Sequence, residues 1–225
     1  MGSERQTGWY RWLRDPRIYD ASQALVRGRA ARETFVADFM RPRAGDRVLD
    51  IGCGTATVIR HLPAVEYTGI DNNPKYIQIA QRRFGRRIAG RRREGSGAID
   101  GAASRPRFVC ADLGTSLDDA DTPFDIVIAL GVLHHLSDPL VTSLCRRVVQ
   151  LLASGGRFVT HDPVLTQDQS AMARWFVEHD RGKHVRTEDA LLTLMRSAGL
   201  NPRSTITHSS LRIPYSEVLV EATVA

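Results

Sequence analysis

The run Val48-Leu49-Asp50-Ile51-Gly52-Cys53-Gly54-Thr55-Ala56 limits the possible folds of this chain more than any other stretch. An apolar segment that ends in a carboxylate and passes at once into Gly-x-Gly marks the join of strand and helix in a βαβ unit. Glycine at that join permits positive φ and lets a ligand touch the backbone. The helix that follows would direct unpaired N–H groups at an anionic ligand group. Gly-x-Gly by itself is a weak signal. Here a second segment, Tyr67-Thr68-Gly69-Ile70-Asp71, also reads as a short strand ending in an acid. Asp71 follows the glycines by roughly 20 residues, the offset at which an acid reaches a ribose diol. Together the two segments predict an adenosine-containing cofactor bound by the first part of the domain.

The rest of the chain alternates in the same way. Strand 47–51 is followed by a helix near 55–62, strand 66–71 and a helix near 75–84 that Asn73-Pro74 would start. A Gly/Ala/Ser-rich loop over 85–105 precedes strands at 107–110, 124–129 and 156–161. Pro139–Leu152 reads as the helix between the last two, with Asp138 as its cap. Helices Asp168–His179 and Thr187–Ala198 follow, then strands near 202–208 and 216–223. Alternating strands and helices predict an α/β fold with a mostly parallel, doubly wound sheet. The final two strands lack a helix between them and predict an antiparallel closing pair. Before the first strand, Ala21–Met40 has helical composition, ended by Pro42 and Gly45. The division is a helical cap segment over 1–40 and the α/β domain over 41–225.

At 225 residues the chain suits one such domain with additions. No apolar run reaches the ~18 residues of a membrane span. The N-terminus carries aromatics rather than the apolar core of a signal peptide. Cys53, Cys110 and Cys145 lack paired spacing and read as free thiols, which fits a cytoplasmic location. A net charge of +6 brings nucleic acid into consideration. The densest basic cluster, Arg82 to Arg93, leads into the Gly-rich loop and has only Phe84 among it, so base stacking is not indicated and a solvated loop is the simpler reading.

Several segments, in order, resemble the class I S-adenosylmethionine-dependent methyltransferases, in particular bacterial members acting on small molecules. Asp50-Ile51-Gly52-Cys53-Gly54-Thr55-Ala56 is similar to their first motif, with Ala56 where many have a third glycine. Asp71 falls at their ribose acid. Cys110-Ala111-Asp112-Leu113 is similar to the segment that meets the adenine amino group. Phe124–Ala129 with Leu133-His134-His135-Leu136 resembles their fourth strand and its loop, and Leu151–Phe158 the turn into their fifth. The resemblance implies a Rossmann-like sheet of seven strands, helices on both faces and an antiparallel last strand. It implies S-adenosylmethionine as cofactor, with contacts from Tyr19, Asp50, Gly52, Cys53, Gly54, Asp71, Asn72, Asp112, Leu113 and Leu130. Tyr19 would reach the cofactor from a segment lying over it. Helix-capping or turn acids are the alternative for Asp71 and Asp112.

Methyl transfer from a sulfonium is an in-line displacement, and its rate comes from alignment, desolvation and the protonation state of the nucleophile. A hydroxyl acceptor needs its proton removed, a task suited to histidine. The candidates are His161 at the end of the fifth strand, and His134 and His135 in the loop after the fourth. Each has a structural alternative. The segment Asp180-Arg181-Gly182-Lys183-His184-Val185-Arg186-Thr187 gathers three cations before a capped helix. Arg181, Lys183 and Arg186 would recognise an anionic or saccharide-like acceptor, or pair with Asp180 and Glu188 in a turn. No carboxylate cluster suited to a metal can be assembled. The expected activity is methylation of a small molecule, at oxygen before nitrogen or carbon, an isoprenoid diphosphate included. An RNA or protein methyltransferase is favoured by charge alone, because Leu130-Gly131-Val132-Leu133 does not match the Asn/Asp-Pro-Pro-Tyr-like loop of amino-methylating members. A nicotinamide-dependent oxidoreductase is disfavoured by Thr57, where its third glycine would stand. A cofactor-binding protein without catalysis remains a further possibility. Partners are small molecules, with no nucleic acid or membrane span expected and the oligomeric state open.

Overall fold

Val48, Leu49 and Ile51, and Ile126 to Ala129, are buried on both faces of their strands, as parallel strands covered by helices require. They form the middle of a sheet in a computed structural model that describes residues 33–85, 105–112, 123–178, 182–208 and 215–225. The strands are β1 (Arg47–Ile51), β2 (Glu66–Asp71), β3 (Arg107–Cys110), β4 (Phe124–Leu130), β5 (Leu152–Leu165), β6 (Arg186–Thr187), β7 (Leu200–Thr207) and β8 (Glu217–Val224). Their order is β3-β2-β1-β4-β5-β8-β7, and the two-residue β6 lies beside β5. All pairings are parallel except those of β8 with β5 and β7. The expected Rossmann-like order with an antiparallel last strand is therefore present, and β6 is an addition to it. The order reverses between β1 and β4, which opens a ligand crevice beyond their C-terminal ends.

Helices α1 (Pro74–Phe84), α2 (Asp138–Leu151), α3 (Ala171–Glu178) and α4 (Glu188–Ser197) connect the strands. The Asn73 side chain accepts the Lys75 N–H and Pro74 occupies the first turn, so α1 starts where the sequence predicts. Ile77, Ala80 and Phe84 then recur on its buried face. On one side of the sheet Leu49, Val127 and Phe158 pack against Val141, Leu144 and Val148 of α2 and Leu191 and Met195 of α4. On the other side Val48, Ile126 and Val159 pack with Val36, Met40, Ala80 and Phe84. Thus the end of the helical cap segment, as far as it is described, shares the core of the sheet.

Four local expectations change. The helix near 55–62 is a 3-10 turn over Thr57–His61, because Ala56 adopts φ 57° and the chain must leave again at Leu62-Pro63. The described part of Ala21–Met40 ends in a π-helical turn, Phe35–Met40, closed by Arg41 in the left-handed region. Ser137, rather than Asp138, holds the cap position of α2, because the Asp138 carboxylate bonds Arg186 instead. β5 extends past both ends of 156–161, with the predicted turn absorbed as an irregularity in its pairing to β4. Tyr19, Leu113, Arg181 and loop residues 86–104 lie outside the described residues. No helix among the described residues is long and apolar enough to cross a membrane.

Candidate functional site

The C-terminal ends of β1, β2 and β4 bring most of the expected cofactor residues to one edge. Asp71 is fixed at the end of β2: one carboxylate oxygen accepts the Gly54 N–H at 2.9 Å, the other the Asn73 N–H at 2.8 Å. Each oxygen keeps a lone pair for a further donor. Gly52 sits at φ +71°, and a Cβ there would come within 2.6 Å of Val132 Cγ2. The loop therefore lies against the start of the β4 loop with no room for a side chain. Around Gly54, by contrast, no atom of the described residues stands within 4 Å of a would-be Cβ. Asp50 is buried beneath this loop and accepts the Tyr67 O–H at 2.5 Å. It supports the loop from below, and Tyr67 is a residue that the sequence reading missed. Asn72 and Asp112 are exposed at the ends of β2 and β3, Cys53 is partly buried, and Leu130 is partly buried at the end of β4.

The three histidines separate. His134 stands in a 3-10 turn, Leu133–His135, directly after β4. Its Nδ1 lies 2.7 Å from Asp162 Oδ1, and its backbone N–H donates to the same oxygen at 3.2 Å. Asp162 is 2% exposed, so the pair is shielded from water. A carboxylate on Nδ1 selects the tautomer that carries its lone pair on Nε2. Asp162, which the sequence places with His161 at a strand end, carries no role of its own there; its pairing with His134 appears only in the fold. His135 is exposed, its ring centroid 4.0 Å from that of His134. His161 is buried on the other face of β5, 3.2 Å by Nε2 from the fully buried Glu217 and stacked on Phe35 at 5.5 Å. Glu217 carries no signal in the sequence beyond its place at the start of a strand.

Of the expected anion receptors, Arg186 and Lys183 are described and Arg181 is not. Arg186 Nε and Nη2 bond Asp138 Oδ1 at 2.8 and 2.7 Å. Its Nη1 donates to the Leu133 and His184 carbonyls, each at 2.9 Å, and Nη2 donates to Leu136 O at 2.5 Å. A guanidinium has five N–H donors. All are used within the protein, so the expectation that Arg186 binds an acceptor anion is corrected. Lys183 is exposed in the preceding turn.

Residues 24–205 match the model of a methyltransferase domain family. The chain belongs to this methyltransferase domain family. The domain is 31% identical over 175 residues to a ubiquinone biosynthesis O-methyltransferase of Cereibacter sphaeroides, covering 72% of this chain and 62% of that protein. It is 31% identical over 192 residues to the 27-O-demethylrifamycin SV methyltransferase of Amycolatopsis mediterranei, covering 82% of this chain and 65% of the relative. The chain thus spans less than two thirds of the length of these relatives. The fold is similar to that of the mitomycin 7-O-methyltransferase MmcR, with a TM-score of 0.66 at 19% identity, over 98% of this chain and 62% of that one. The cofactor of the methyltransferase domain is S-adenosylmethionine. The edge described above fits it: a fixed carboxylate with lone pairs to spare at Asp71, and a glycine loop that no described residue crowds at Gly54.

Proposed function

We propose that this methyltransferase domain transfers a methyl group from S-adenosylmethionine to a hydroxyl oxygen of a small molecule, with His134 as general base. The observation that carries the reading is the buried His134–Asp162 pair, 2.7 Å apart, where the turn after β4 meets β5. Gly52, Cys53, Gly54, Asp71, Asn72, Asp112 and Leu130 hold the cofactor, and Asp50 braces them. When bound, the cofactor supplies an electrophilic methyl group on a sulfonium. His134 Nε2 takes the hydroxyl proton of the acceptor, and Asp162 stabilises the imidazolium that results. His161 is a weaker candidate for the base, because Phe35 and Glu217 already cover its ring. The O-methyltransferase activity named for the relatives supports oxygen as the acceptor atom. An anionic or saccharide-like acceptor rests on Lys183 among the described residues, since Arg186 is spent within the protein.

The test is a screen of phenol, quinol, carboxylate and sugar acceptors with S-adenosylmethionine, following S-adenosylhomocysteine release. With an acceptor in hand, His134→Gln and Asp162→Asn should each lower kcat by about 10²–10⁴, the usual contribution of general-base catalysis. Binding of S-adenosylhomocysteine, measured by calorimetry, should stay within a few fold. If His134→Gln turns over at the native rate, the histidine is not the base.

A further inference from the structure

We infer that Arg186 is a positioning residue for His134, holding the loop that presents the proposed base. This rests on the reading of His134 given above and names what keeps that residue in place. The turn Leu133–His135 has only three residues, too short to be stable alone; the Leu136 N–H closes it on Leu133 O at 3.1 Å, and further donors reinforce it. The Arg186 guanidinium supplies them. Its donors reach Leu133 O on one side of the histidine and Leu136 O on the other, and the Asp138 carboxylate at the start of α2. The Arg186 side chain is 10% exposed, which shields its bonds to the two carbonyls and strengthens them, whereas Asp138 stands at the surface, 68% exposed.

Two neighbours of Arg186 complete the hold. The His184 N–H donates to the His134 carbonyl at 3.0 Å. Gly182 lies so close to the ring that a Cβ would fall 2.0 Å from His134 Cδ2. The short strand β6, in which Arg186 sits, pairs with Val164 and Leu165 of β5, just beyond Asp162. One strand end therefore carries the carboxylate that orients the ring and, through β6, the arginine that fixes its loop. A displacement of about 1 Å in a catalytic group costs on the order of 100-fold in rate, which is what such a hold prevents. Lysine cannot substitute, because three tetrahedral donors do not reproduce a planar five-donor fork.

The test reads the His134 imidazole directly. Long-range ¹H–¹⁵N correlation spectra of the full chain, with S-adenosylhomocysteine present and His134→Gln for assignment, report the ring tautomer. In the native protein His134 should be a single Nδ1–H form. In Arg186→Lys it should become an exchanging mixture of tautomers, while His208, just after β7 and bonded to Ser216, keeps its signals and the S-adenosylhomocysteine affinity changes less than threefold. Arg186→Ala should show the same effect more strongly, and Arg186→Lys decides if the alanine variant does not fold. Retention of the single Nδ1–H form in Arg186→Lys would overturn the inference. A native ring that is not Nδ1–H, or a native protein that does not bind S-adenosylhomocysteine, would instead overturn the function proposed above.

Discussion

At the scale of single residues, Asp50, beneath the glycine loop, is the most informative side chain. Burial pushes its carboxyl up to about 7; the Tyr67 hydrogen bond works against the rise and the Asp71 charge adds to it. In the unfolded chain the same group ionises near 4. Between about pH 4 and 7 the folded protein thus holds a proton that the unfolded chain has released. Stability from this residue therefore falls as pH rises through that window and is level above it. Asp50→Asn removes the titration. Melting temperatures taken at intervals from pH 4.5 to 8 should decline less steeply for the variant than for the native protein. Parallel curves would mean that Asp50 does not carry the proton. Gly182 and His134 show another residue-scale constraint: a glycine required by the ring of a side chain distant in sequence, not by its own backbone angle.

At the scale of elements, β5 divides its work between its two faces. Phe158, Asp162 and Val164 face α2 and α4, whereas Val159 and His161 face the N-terminal helical turn. Alternation along a strand assigns these faces, so His161 and Asp162, although adjacent in sequence, belong to different environments. Near the N-terminal end of β5, Arg157 anchors the helical turn: its guanidinium donates to the Met40 carbonyl and, at 2.8 Å, to the Arg41 carbonyl. Arg41 in turn pairs with Glu221 of β8 at 2.5 Å. Arg157→Ala should cost about 1.5–3 kcal/mol, the range for hydrogen bonds to a charged group, in urea unfolding. A midpoint unchanged from the native protein would show that the turn is held by Val36 and Met40 packing alone.

At the scale of the whole molecule, the edge proposed to hold the cofactor couples to global stability because it is assembled from the ends of three strands. A ligand that binds only the folded state at about 100 times its Kd stabilises by about 2.7 kcal/mol. For a chain of this size that is roughly 5–10 °C in melting temperature. S-adenosylhomocysteine should give a shift of that order, and Asp71→Ala should abolish most of it. An equal shift in the variant would place the ligand elsewhere.

Most strand positions, and the glycine loop with its two acids, were legible in the sequence. They depend on local patterns: apolar runs of strand length, turn residues and strand-terminal carboxylates, each readable within a few residues. The short turn at Thr57–His61 was not, because helical composition does not reveal that Ala56 takes a left-handed angle. The partners of the histidines were not legible either. Asp162 meets His134 across 28 residues because β4 and β5 are paired in a particular register, with Leu130 opposite His161. Glu217 meets His161 only because β8 folds back antiparallel beside β5. Arg186 looked like an anion receptor because a sequence displays charges but not the carbonyls that a fold sets around them. Short-range sterics and periodicity let the sequence determine which elements form and which of their ends could hold a ligand. Which side chains become partners at those ends was decided by strand order and register, and these are properties of the tertiary structure.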